Sequence, residues 1–125
     1  MDKNITESDY KKAYKALPVA IFCKSLNCEI KRTKAGFEHV FSQKIRSKED
    51  LQGRGKAIKY LAPLIESINI YQWHEREFKA QGIINYWNLQ GVVDGVCIHI
   101  TIRSIGNQDP HLYSWHYKGI SPKIK

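Results

Sequence analysis

The sequence predicts an α+β fold in which N-terminal helices pack on a C-terminal antiparallel sheet of about four strands. Three observations carry this expectation. Apolar residues recur at helical spacing through the first half, two-residue alternation takes over towards the end, and Asp94-Gly95 between alternating runs marks a tight hairpin. With 125 residues, 42% of them hydrophobic, the chain is expected to form one domain with a modest core. No repeat, low-complexity stretch or linker divides it, so residues 1–125 read as one unit.

Taken in order, Thr6-Glu7-Ser8-Asp9 precedes a short amphipathic helix through Tyr10, Ala13, Tyr14 and Leu17, which Pro18 stops. Val19 to Lys24 and Cys28 to Arg32 flank Ser25-Leu26-Asn27 and read as a short hairpin, with a helix through Val19–Lys24 as the alternative. Thr33 can cap a helix from Lys34 to about Gln43, and Ser47 with Asp50 opens another from Lys48 to about Ser67. The second has Leu51, Ile58, Leu61, Leu64 and Ile65 at core spacing. Gly53 and Gly55 should weaken its first turns, and Pro63 should kink or break it. Strands are then expected at Asn69–His74, Gly82–Gln90, Gly91–Val96, Val96–Arg103 and Leu112–Lys118.

The formal net charge is +8. Between Lys24 and Lys59 ten basic residues stand against the four acids Glu29, Glu38, Glu49 and Asp50, so this segment carries most of the excess. Clustered positive charge suits a polyanion. Cys23, Cys28 and Cys97 form no CxxC pair, which argues against a zinc site and a disulfide framework; reduced thiols are expected, although a hairpin can bring Cys23 opposite Cys28. No apolar run approaches the ~20 residues needed to span a bilayer, and no signal-peptide pattern opens the chain.

The most informative stretch is Val96 to Lys118. In the first strand Val96, Ile98, Ile100 and Ile102 share one face, and Cys97, His99, Thr101 and Arg103 the other. In the second, Tyr113, Trp115 and Tyr117 alternate with Ser114, His116 and Lys118. Paired over one core, the two strands present His99, Thr101, Arg103, Ser114, His116 and Lys118 on a face without a carboxylate. Imidazoles, hydroxyls and cations on rigid strands can bind a phosphate and move protons around it. An antiparallel sheet with one wet face also alternates in this way, so periodicity by itself leaves both readings open.

Ahead of this stretch lies Gly36-Phe37-Glu38-His39-Val40-Phe41. These six residues resemble the signature of EndoU-type endoribonucleases, and the resemblance implies that His39 is catalytic. The order of a basic helical half followed by a sheet also looks like the barnase/EndoU/colicin/RelE superfamily (BECR), which includes C-terminal toxin domains of contact-dependent inhibition and polymorphic-toxin systems. The EndoU pattern has a second histidine further along, and Lys44 to Leu61 contains none. His99 or His116 is therefore expected in its place.

The resulting expectation is a metal-independent, cofactor-free endoribonuclease, a tRNase toxin that uses the RNA's own 2′-hydroxyl as nucleophile. His39, His99 and His116 share acid and base work, Arg103 clamps the phosphate, and Thr101 and Ser114 donate to its oxygens. Lys31, Arg32, Lys34, Lys44, Arg46, Arg54, Lys56, Lys59 and Lys118 are expected to hold RNA. Expected partners are RNA, tRNA in particular, an acidic immunity protein or antitoxin, and a host factor if one is needed. The resemblance implies action in the cytoplasm of a target cell after delivery at the C-terminus of a larger secreted effector. The alternatives are a noncatalytic RNA-binding module and a basic domain for an acidic partner. His74 and His111 read as packing or surface residues, and Trp73, Trp87 and Trp115 as core or sheet-face residues before base-stacking ones.

Overall fold

A computed structural model describes residues 7–41, 48–93 and 95–119. The elements run α1 (Glu7–Lys15), β1 (Ala20–Cys23), β2 (Cys28–Lys31), α2 (Lys34–Phe41), α3 (Lys48–Ser67), β3 (Trp73–Lys79), β4 (Gly82–Val93), β5 (Val96–Ile105) and β6 (His111–Gly119). The class is α+β, with two departures from expectation. Among the described residues the sheet has six strands in the order β1-β2-β6-β5-β4-β3, and the β1–β2 hairpin, which joins it, lies between α1 and α2 in the chain. β2 meets β6 in parallel at Lys31 and His111, whereas the other neighbours are antiparallel. Nothing local in a four-residue strand specifies such a long-range partner.

The helices cover one face of the sheet. Tyr10 and Tyr14 of α1, Phe37, Val40 and Phe41 of α2, and Ile58, Leu61 and Ile65 of α3 bury against Ile98, Ile100, Ile102, Leu112 and Trp115. Each such side chain contributes about 1.5–3 kcal/mol relative to exposure. Thr33 caps α2, its Oγ accepting from Gly36 N at 3.0 Å. α3 runs unbroken through Pro63. Pro63 and Lys59, whose carbonyl loses its helical partner, are both exposed, so the lost bond falls on the side facing water while the buried stripe holds the helix. Gly53 and Gly55 lie where the rings of Tyr117 and Tyr10 press on α3, leaving no room for a methyl group. The side chain of Leu51 lies outside the described residues, as does that of Val96.

β3 begins at Trp73, later than expected. Its sequence WHEREFK lacks apolar alternation because the strand is an edge, exposed everywhere except at half-buried Glu77. A second correction concerns β6. Thr101 pairs with Ser114 but Ile102 with Leu112, so Tyr113 is an extra residue in a β-bulge. The bulge allows Leu112 and Trp115, three positions apart, both to be fully buried, and it turns Tyr113 out of the core row predicted for it. The three cysteines are free, with Cys23 and Cys28 opposite each other across the hairpin.

Candidate active site

The face of the sheet away from the helices carries three aligned rows. Gln90, His99 and His116 form the first, Asn88, Thr101 and Ser114 the second, and Tyr86, Arg103 and His111 the third. β3 extends them with Trp73 opposite Asn88 and Glu75 opposite Tyr86. β3 therefore adds carboxylates at the edge of a face whose β5 and β6 rows hold none, as expected for those two strands. Glu77 accepts a hydrogen bond from the Tyr86 hydroxyl at 3.3 Å, and burial together with this carboxylate raises the Tyr86 pKa.

Arg103 is the centre of the third row. Its Nε donates to Nε2 of His111 at 3.2 Å, and its guanidinium carbon lies 4.1 Å from the centre of the Tyr113 ring. The bulge that frees Tyr113 from the core places it here, where His39 of α2 stacks on it at 4.3 Å between ring centres. His39, Arg103, His111 edge-on at 6.5 Å and the Tyr86 ring edge-on at 5.9 Å thus surround the Tyr113 ring. α2 delivers His39 because Gly36, one turn earlier, is buried against the backbone of β6 at Leu112.

Burial lowers the His111 pKa from the usual 6.5, and the Arg103 charge lowers it further, against a hydrogen bond to the Asp109 backbone. His111 is therefore neutral at pH 7, with its Nε2 lone pair turned to Arg103. Because the folded value lies below the unfolded one, this group's contribution to stability is present above pH 6.5 and is lost as pH falls through the lowered pKa. In Arg103→Gln the His111 pKa, followed by imidazole NMR, is expected to rise while remaining below 6.5, since burial is the larger cause. A fall, or no change, would show that Arg103 does not act on this ring.

His99 and His116 form a separate pair, stacked at 4.5 Å and 10°. The Cys97 thiol lies 3.5 Å from His99 Nε2. His99 and Arg103 are four positions apart in β5, about 13 Å along the strand. The three histidines assigned to acid and base work thus fall into two groups, with Thr101 and Ser114 between them.

The expected RNA-binding cations are dispersed. Lys31 lines an open groove of about 420 Å³ with Thr33, Asp109 and His111, and is 3.3 Å from the Asp109 carboxylate. Arg32 and Lys34 line a smaller groove with Lys11 and Lys15 of α1, which the sequence reading missed. Arg32 also donates to the Pro18 carbonyl at 3.4 Å, and Lys34 pairs with Glu38 at 3.8 Å. Lys56 and Lys59 are on α3, in the helical layer behind the sheet, beside an apolar cavity. Lys44 and Arg46 lie outside the described residues, as does the side chain of Lys118.

Arg54 has a different place. It is 8% exposed, its Nη1 donates to the Trp115 carbonyl at 2.5 Å, and its own carbonyl accepts from Trp115 Nε1 at 2.8 Å. This reciprocal pair locks α3 to β6 beneath the candidate site. Arg54→Ala leaves a buried carbonyl short of its donor and is expected to destabilise the fold by about 1–3 kcal/mol, measured by urea denaturation. Stability equal to wild type would show that the pair contributes nothing net.

The sequence marks His111 only as a packing or surface residue ahead of the strand expected from Leu112, and marks neither Tyr86 nor Tyr113 as a site residue. A polar residue opposite Arg103 was the available signal for His111, but it needed the strand to start one position earlier. No protein-family model, curated protein or solved structure matches the chain. Among the described residues no cluster of three or more His, Cys, Asp or Glu side chains is arranged to hold a metal ion, and no helix is long and apolar enough to cross a membrane.

Proposed function

We propose that the protein is a metal-independent endoribonuclease acting at the Arg103 cluster, a divergent member of the BECR group whose substrate is tRNA. The observation that carries this reading is the meeting of Arg103, neutral His111 and His39 around Tyr113. Arg103 binds the phosphate with its planar fork. As the phosphate draws the guanidinium away, His111 Nε2 becomes free to accept the 2′-hydroxyl proton. The 2′-oxygen then attacks phosphorus, the bond to the 5′-oxygen breaks, and His39 supplies the proton that the leaving oxygen takes up. The products are a 2′,3′-cyclic phosphate and a 5′-hydroxyl. Arg103 offsets the charge that builds on the phosphoryl oxygens. His99 and His116, too distant to share this phosphate, hold a neighbouring one with Thr101 and Ser114.

A toxin role goes with this activity, and with it an acidic inhibitor protein seated over Arg103 and Lys31, away from the Glu75 and Glu77 edge. Purified protein incubated with end-labelled tRNA in EDTA tests the chemistry. Cleavage to cyclic phosphate ends, blocked by a single 2′-deoxy substitution at the cut, is expected. A requirement for divalent metal or 5′-phosphate products would overturn the mechanism, and binding without cleavage would leave a noncatalytic RNA-binding module.

A further inference from the structure

We propose that Trp73 is a stacking subsite for one unpaired base of the RNA, next to the nucleotide whose phosphate Arg103 holds; this rests on the ribonuclease reading above. The three tryptophans are placed very differently. Trp115 is fully buried and stacked on Tyr14 at 5.5 Å, and Trp87 packs against the core edge and stacks on His74 at 5.0 Å. Trp73 is 45% exposed. It opens β3 on the same side of the sheet as the candidate site, in the row of Asn88, Thr101 and Ser114.

An edge strand is ordinarily protected by charge, and Glu75, Arg76, Glu77 and Lys79 provide that here. A large exposed ring at the head of such a strand does not serve that protection. Its position fits a ligand. Trp73 is two strands and two residues from Arg103, about 12 Å at the usual sheet spacings, and its diagonal neighbour is Tyr86, the direct partner of Arg103. That span suits a base one nucleotide removed from the bound phosphate, its flat face on the indole. Between them lie Asn88, the direct partner of Trp73 and held by a 2.8 Å hydrogen bond from Gln90, and Tyr86, which give the path a polar floor. Stacking of this kind tolerates any base but requires it to be out of a helix, because paired bases already stack on both faces. The substrate class is therefore an unpaired stretch of RNA, such as a loop, and not a continuous duplex.

The test uses a short fluorescein-labelled single-stranded oligonucleotide with 2′-O-methyl ribose throughout, which cannot be cleaved, and the same sequence as a duplex. Trp73→Ala is expected to weaken single-strand binding about 10-fold, with Trp73→Phe retaining most of the affinity and duplex binding unchanged. Tryptophan emission of the wild type should be quenched on binding, and that quenching should be absent in Trp73→Phe. Quenching tests the proposal even if the alanine variant folds poorly. Equal affinity of wild type and Trp73→Ala, or equal quenching in wild type and Trp73→Phe, overturns the subsite and leaves the ribonuclease reading standing. A wild type that binds neither oligonucleotide overturns that reading and the subsite with it.

Discussion

His111→Gln and His39→Gln are each expected to lower kcat for tRNA cleavage by about 10²–10⁴-fold, the usual contribution of a positioned acid or base. His99→Gln and His116→Gln are expected to raise KM and to change kcat by less than about 10-fold. The ranking follows from distance. His111 is bonded to the Arg103 guanidinium at 3.2 Å, and His39 stacks at 4.3 Å on the same Tyr113 ring that the guanidinium covers at 4.1 Å. The stacked pair His99–His116 lies two rows away. The double variant His39→Gln/His111→Gln should lose little more than either single variant, because an acid and a base serving one step act as a unit. Single-turnover assays of the four variants, with circular dichroism to establish folding, decide the matter. The reverse ranking would move the acid and base roles to His99 and His116 and make the Arg103 cluster a binding element.

Much of this site could be read from the sequence, for a specific reason. Two-residue alternation in β5 is a consequence of strand geometry, so Ile98, Ile100 and Ile102 had to face the core, and His99, Thr101 and Arg103 the other side. β6 follows the same rule on either side of one extra residue. The bulge at Tyr113 could not be anticipated from periodicity, because the sequence of β6 fits an unbroken alternation equally well. Its signature is Leu112 and Trp115, two core-sized residues at a spacing that regular strands do not bury together.

The edge strand is displaced from its expected position, Asn69–His74, to Trp73–Lys79 for a related reason. Periodicity reports burial, and β3 is almost entirely exposed. The displacement hides Glu75 and Glu77 as well as the register that puts Trp73 on the site face. Arg54 shows the limit of reading charge as surface. A cation in a helix beside two glycines looks like a ligand for RNA, but the close approach of α3 to β6 encloses it, and its guanidinium satisfies a buried carbonyl instead. The six-stranded order depended on one parallel contact between residues eighty positions apart, which local pattern does not encode.

Gly36→Ala is expected to lower both stability and activity, although alanine is the better helix former by about 1 kcal/mol. A methyl group at this position would fall on the Leu112 carbonyl oxygen, with Thr33 Oγ and the Tyr14 hydroxyl each 3.3 Å away. The carbonyl belongs to the backbone of β6 and cannot rotate aside, so α2 must move outwards. Overpacking of this kind costs about 1–3 kcal/mol, which outweighs the propensity gain. His39, one turn further along α2, moves with the helix and loses its stack on Tyr113. Because misplacement by about 1 Å can reduce catalysis 10²-fold, kcat should fall by about that factor at temperatures where the variant is still folded. Thermal denaturation followed by circular dichroism, together with tRNA cleavage well below the transition, measures both effects. A variant of raised melting temperature and full activity would show that α2 does not depend on this contact, and that His39 is not positioned by it.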